Sequence, residues 1–160
     1  DPDDLARGAT ITASSERASA PASNLNNGVS RPSFDGKVSN SWESNPSKPF
    51  PQWVELKLDK PASIGAIQCT FDTNLKGSHP NRTNPLPKEC VRDYTLECYV
   101  NGQWVRVARV RDNIQRFRRH AFKLVKTDRV RLTVETTQGA ETAMVFEMRV
   151  YADAAPILKG

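Results

Sequence analysis

The chain has 160 residues, 38% hydrophobic and 26% charged, with a net charge of +5, and that length buries one core without cross-links. This balance excludes a disordered chain, and no apolar run approaches the ~20 residues that a membrane-crossing helix needs. The opening Asp1-Pro2-Asp3-Asp4 is the reverse of a basic-then-apolar secretory signal, so the chain is expected to start at a processed or excised boundary.

From residue 18 to residue 52 the sequence is irregular and rich in Pro, Asn, Ser and Gly. Alternating or β-branched runs then predict strands at 53–58 and 64–71, separated by the turn signal Asp59-Lys60-Pro61. A second irregular stretch covers 72–89. Loops this long in a compact domain tend to be functional, which places the expected binding surface on these two stretches.

Further strands are predicted at 94–100 and 104–110, joined by Asn101-Gly102. Both central residues of a type I′ hairpin turn need positive φ, and Asn-Gly meets that need best. Two more are predicted at 118–125 and 129–135, divided by Lys126-Thr127-Asp128, and a last one at 144–151 after Gln138-Gly139. Short strands at this spacing argue for an antiparallel sandwich or barrel occupying 1–151, with 152–160 as a tail.

Positive charge is concentrated. Residues 106–131 hold ten Lys/Arg and two Asp/Glu, a local +8 that leaves −3 elsewhere. The reading preferred is arginines on solvent faces of strands, as in Arg129-Val130-Arg131-Leu132; the sharper alternative is an anion-binding face for polyanions or a membrane surface. Nucleic acid is not an expected partner, because the segment lacks interleaved aromatics expected to be exposed apart from Phe117.

The three cysteines, Cys69, Cys90 and Cys98, are an odd set. Cys69 and Cys98 fall in phase with apolar sides of their strands and are expected to pack as small hydrophobes, while a Cys90 disulfide or a reactive thiol stays open. A zinc site is not expected, since there is no Cys-x-x-Cys and His79 and His120 are far apart in sequence. Glycine spacing excludes both the dinucleotide fingerprint and the P-loop, and neither Gly-x-Ser-x-Gly nor His-Glu-x-x-His occurs. The segment is therefore expected not to be an enzyme in itself.

Several motifs in order carry a resemblance: Ala9-Thr10-Ile11-Thr12-Ala13-Ser14-Ser15-Glu16, Asn24-Leu25-Asn26-Asn27-Gly28, Ser41-Trp42-Glu43-Ser44, Pro51-Gln52-Trp53-Val54-Glu55-Leu56-Lys57-Leu58 and the closing Phe146-Glu147-Met148-Arg149-Val150-Tyr151. Together they resemble the coagulation factor V/VIII type C, or discoidin, family, which overlaps the family 32 carbohydrate-binding modules. More particularly, Phe71-Asp72-Thr73-Asn74-Leu75, the run from Pro87 to Tyr94 and the run from Asn113 to His120 resemble discoidin-like C-terminal domains of bacterial FAD-dependent oxidoreductases.

The resemblance implies an all-β, galactose-binding-like jelly-roll sandwich of two antiparallel sheets, with ligand held at loop tips on one end. The expected core is Val54, Leu56, Leu58, Ile64, Ile67, Phe71, Leu96, Val130, Leu132, Val134, Phe146, Met148 and Val150. It also implies a structural calcium beside the first long loop. Here Asn27 stands in the family's Asp position and Asn40 in its Ser/Thr position, with Asp35 as a substitute carboxylate and Glu147 on the last strand. Losing a carboxylate at residue 27 weakens such a site for a hard cation.

For the ligand, the resemblance places Trp42 and Trp53 as packing residues beneath the loops, and Trp104 opens a strand. Better candidates are Phe34 as a stacking platform and His79, Asn81, Arg82 and Asn84 as hydrogen-bonding groups, followed by Arg116, Arg118 and Arg119 for an anionic ligand. The implied role is a noncatalytic module of a larger bacterial enzyme that is secreted, periplasmic or at the cell surface. Its partner would be a galactose-type, fucose-type or acidic glycan, or the parent catalytic domain, and the isolated segment is expected to be monomeric.

Overall fold

Two long strands set the architecture. In the computed structural model, which describes residues 1–74 and 87–153, β3 runs over Gln52–Phe71 and β6 over Phe117–Thr137, paired antiparallel along their lengths. The other strands are β1 (Thr10–Ala13), β2 (Trp42–Glu43), β4 (Val91–Val100), β5 (Gln103–Val110) and β7 (Met144–Tyr151). One hydrogen-bonded ladder connects them in the order β2-β7-β3-β6-β4-β5, with β1 also on β3.

Each long strand serves two sheets. The first half of β3 pairs with β1 and with the second half of β6, which continues to β4 and β5. The second half of β3 pairs with β7, which carries β2. Between these halves the β3/β6 register shifts twice, from Lys57 to Ala62 and from Ile64 to Ala66. Such irregularities bend a ladder, so the pair folds over and the two layers close on one core. Phe71 of one layer meets Tyr94 of the other with ring centroids 5.0 Å apart.

This corrects two expected boundaries. The turn signals at 59–61 and 126–128 lie inside continuous strands, because the register shifts absorb them without ending the ladder. Pro61, which has no N–H to give, sits within the first shift, where ladder bonds are interrupted. Thr127 is buried, and its hydroxyl donates to Tyr99 O at 2.6 Å. By contrast, Asn101 (φ 50°) and Gly102 (φ 80°) form the expected hairpin turn between β4 and β5.

All thirteen expected core residues are buried. Phe146 lies apart from the central cluster, covered by the Arg116 guanidinium at 5.1 Å. The cysteines are free and buried, and burial pushes Cys69 up to about 12 and Cys90 and Cys98 up to about 11. They are neutral thiols near neutral pH, as small hydrophobes in a core should be. The first irregular stretch contains a short 3-10 turn at Ala22–Asn26 as well as β2, and a second such turn precedes β1 at Leu5–Gly8.

Candidate functional site

Because β3 and β6 fold over together, both ends of the pair come to one end of the sandwich. Backbone bonds tie the connecting segments there: Phe71 N to Arg116 O at 2.7 Å, Gln138 N to Cys90 O at 2.9 Å, Ala140 N to Lys88 O at 2.9 Å and Ser44 N to Ala143 O at 3.0 Å. A cleft of about 510 Å³ opens among them, its walls including Arg17, Glu43, Lys88, Glu89, Glu141 and Thr142. Glu43 is held from two sides, by Arg17 Nε at 2.9 Å and the Thr142 hydroxyl at 3.0 Å. Burial raises the pKa of the neighbouring Asp72 carboxyl, and the charges of Glu89 and Glu43 raise it further. The cleft itself sets three carboxylates, Glu43, Glu89 and Glu141, against two basic side chains, Arg17 and Lys88.

None of the cleft's charged residues was singled out as a ligand group from sequence. Glu43 stood in the Ser41-Trp42-Glu43-Ser44 motif, but only the register of β2 against β7 brings it opposite Met144 and beside Thr142. Lys88 and Glu89 reach the cleft through backbone pairing with residues 138–140.

The expected ligand residues part company. Phe34 is fully exposed, at 102% of its reference area. It sits on a tight turn in which Ser33 N donates to Val38 O and Gly36 N to Ser33 O, both at 2.9 Å, with Gly36 at φ 72°. Asp35 Oδ1 accepts from the Ser33 hydroxyl at 2.7 Å and from Lys37 N at 3.0 Å, which pins the turn. The loop is tied down at both shoulders, the Ser39 hydroxyl donating to Ser19 O at 3.2 Å and Arg116 donating to Ser30 O. His79, Asn81, Arg82 and Asn84 lie outside the described residues.

The arginines are spent on the fold. Besides Ser30, Arg116 donates to Phe71 O at 3.1 Å. Arg118 points inward with the half-buried side of β6 and donates to Asn113 Oδ1 at 2.9 Å, and Arg119 lies over the Phe117 ring at 4.5 Å. Arg129 and Arg131 clamp the two oxygens of Glu55, with bonds of 2.6 and 3.1 Å. The same pair stacks on rings of the outer face: Arg131 on Trp104 (4.2 Å) and Trp53 (4.5 Å), Arg129 on Tyr99 (4.6 Å) and Trp104 (5.3 Å). Trp53 is thus a half-buried outer-face residue and not a packing residue beneath the loops, because Val54 and Leu56 take the inward phase of β3. Trp42 does pack inside, fully buried, its Nε1 donating to Ser15 O at 2.9 Å.

Between the layers, Tyr94 Oη and His120 Nε2 lie 2.7 Å apart. Burial, aided by the nearby charge of Arg118, holds His120 down at about 4, so the imidazole is neutral at physiological pH.

The four residues proposed for calcium do not assemble. Asn27 and Glu147 line one cavity of about 160 Å³ on the flank of β7, and Asp35 and Asn40 are not among its walls. Asn27 Oδ1 accepts from Val29 N at 2.8 Å, Glu147 Oε1 from Arg149 Nε at 2.5 Å, and Asn40 Nδ2 donates to Arg31 O at 3.0 Å. Among the described residues, no three of His, Cys, Asp and Glu are grouped as metal ligands. Asp1, Asp4, Arg7 and Arg149 line the same cavity, so its carboxylates share the space with two guanidinium groups.

A sandwich built on two shared long strands, with its loops gathered at one end, is the architecture of galactose-binding-like domains. The F5/8 type C domain family matches residues 10–148, and the chain belongs to that family. Its fold is shared with the family 32 carbohydrate-binding module of Clostridium perfringens NanJ, solved with galactose (TM-score 0.72, 19% identity, 93% of this chain and 98% of that one). It is also similar to a fucose-binding module from Streptococcus pneumoniae (TM-score 0.70, 16% identity, 94% and 95%). A chitosan-binding module of a Paenibacillus chitosanase/glucanase is similar too (TM-score 0.71, 19% identity, 92% and 98%). No curated protein sequence matches the chain.

Proposed function

We propose that this chain is a noncatalytic carbohydrate-binding module of a larger bacterial enzyme working outside the cytoplasm, with the glycan held by the loops at one end of the sandwich. The observation that carries this reading is the pairing of a cleft with a fully exposed aromatic on a pinned turn, Phe34, whose loop is tied to the same end of the molecule. An exposed ring on a rigid turn can stack on the apolar face of a pyranose with little ordering cost. Polar walls at Arg17, Lys88, Glu89 and Thr142 supply both donors and acceptors for hydroxyls. The solved neighbours were named for galactose, fucose and chitosan ligands, which is consistent with a sugar-binding role.

Charge refines the ligand class. The cleft's three carboxylates, Glu43, Glu89 and Glu141, outnumber its two basic side chains, Arg17 and Lys88, which favours neutral galactose- or fucose-type sugars and amino sugars over uronates. Affinity electrophoresis in gels bearing galactan, fucosylated glycan, chitosan or polyuronate tests this. Retardation by a neutral or amino-sugar polymer and none by polyuronate is expected; no retardation by any of them sinks the sugar-binding reading.

A second reading, a packing domain of an FAD-dependent oxidoreductase with no ligand of its own, draws on two separate exposed apolar side chains that a parent domain would cover, Ile114 (57% exposed) before β6 and Leu124 (62% exposed) on it. Polyanion binding through 106–131 is the weakest of the three, since Arg116, Arg118, Arg129 and Arg131 already have partners.

A further inference from the structure

The flank of β7 is held together by charges that the chain itself supplies. Glu147 is only 5% exposed, and a buried carboxylate demands a countercharge. Arg149, two residues on and therefore on the same side of the strand, gives it one: Nε bonds Glu147 Oε1 at 2.5 Å, and Nη1 reaches Asp1 Oδ2 at 3.5 Å. The hydroxyl of Tyr151, the next residue in that phase, donates to the same Asp1 oxygen at 2.8 Å. Asp4 completes the joint by accepting from Val150 N at 3.0 Å and Ala6 N at 2.9 Å. The segment before β1 is thus fastened to the last strand through side chains in one phase.

Several oxygens that a cation would want in this cavity already face an N–H. Arg149 occupies Glu147, Val29 N occupies Asn27 Oδ1, and Asn26 Nδ2 donates to the carbonyls of Ala6 at 2.9 Å and Ala9 at 3.1 Å. Arg7 and Arg149 line the space together with the carboxylates of Asp1, Asp4 and Glu147, so much of the positive charge that these carboxylates need is already present as guanidinium groups. A planar guanidinium can bridge two carboxylates directionally, which a hydrated point charge does less well. We propose that Arg149 is a resident cation: its guanidinium does the joining that calcium would otherwise do, here between the last strand and the segment before β1, and the domain is calcium-independent.

Thermal unfolding and calorimetric titration of the whole chain test this. The wild-type chain is expected to melt at one temperature in 10 mM calcium and in chelator, with no binding heat; a melting shift that chelator removes overturns the proposal. Arg149→Gln, which strips the charge, is expected to melt about 5 °C or more lower. Melting of R149Q at the wild-type temperature also overturns it. If R149Q does not fold, Arg149→Lys serves instead. It keeps one charge without the two-armed geometry, so it is expected to melt measurably below wild type, still without response to calcium. Wild-type melting of R149K, or a calcium response in it as large as the stability lost, counts against the proposal.

Discussion

The outer face of the β1-β3-β6-β4-β5 layer and the loop from Ser30 to Asn40 make opposite use of aromatic side chains. On the sheet face Trp53, Tyr99 and Trp104 come from three different strands, yet each ring is covered by Arg129 or Arg131, and both guanidinium groups are anchored on Glu55. The loop has one aromatic, Phe34, and it is wholly exposed. The face is richer in rings and poorer in free ring surface. Aromatic density alone is thus a poor guide to a sugar site; what counts is whether the ring has already been desolvated by a neighbour.

Four measurements bear on that contrast. The largest effect is expected from the tryptophan that belongs to neither region: Trp42→Ala empties a fully buried site and orphans a bond to Ser15 O, and should cost about 3–5 kcal/mol in denaturant unfolding. Next, Glu55→Ala releases the two stacked arginines. A loss of about 2 kcal/mol is expected, less than for a fully buried pair because both guanidinium groups are partly exposed. The freed charge should also raise the salt needed to elute the chain from heparin; unchanged elution would mean that the clamp does not sequester those arginines.

The third probe is pH. The folded His120 value of about 4 lies below the unfolded value of 6.5, so the unfolded state binds more protons between them. Its contribution to stability is full above pH 6.5, declines as pH falls through that window and is gone below about 4. After allowance for solvent screening this amounts to about 1–2 kcal/mol. Unfolding curves at pH 7.5 and 4.5 should show the loss, and His120→Phe should flatten it. The smallest stability effect is expected at Phe34: Phe34→Ala should leave unfolding within about 0.5 kcal/mol while weakening glycan binding about tenfold. Trp104→Ala should do the reverse, losing stability and keeping retention. If the two swap behaviours, the sheet face is the binding surface and the contrast drawn above fails.

Alternation made the inward residues of β3, β6 and β7 readable, and all of the expected core is buried. Asn101-Gly102 was readable because positive φ at both positions is a local demand. The signals at 59–61 and 126–128 misled, since turn residues mark a break in regularity and cannot say whether the strand resumes in the same ladder. The candidate site was less legible. Phe34 was found because loop position and residue type coincide, whereas Glu43, Glu89 and Glu141 meet only when β2, the segment before β4 and the 138–143 connection converge. Arg116 and Arg118 looked available because a sequence shows charge and hides the acceptors that consume it.

Local chemistry along the chain determined the β class, the inward face of each strand, the hairpin at 101–102 and the order of motifs that marks the F5/8 type C family. These depend on period and backbone preference, which act between near neighbours. The opening charge of +5 is a different kind of quantity. Only the tertiary structure decided that Arg129 and Arg131 of the basic segment are paired with Glu55, that the loop-end cleft sets three carboxylates against two basic side chains, and that Arg149 is paired with Glu147 on the last strand. Those outcomes depend on pairings between residues far apart in sequence, such as Glu55 with Arg131 and Asp1 with Tyr151. Coulombic and hydrogen-bonding energies follow distance in space, and only the folded chain sets that distance.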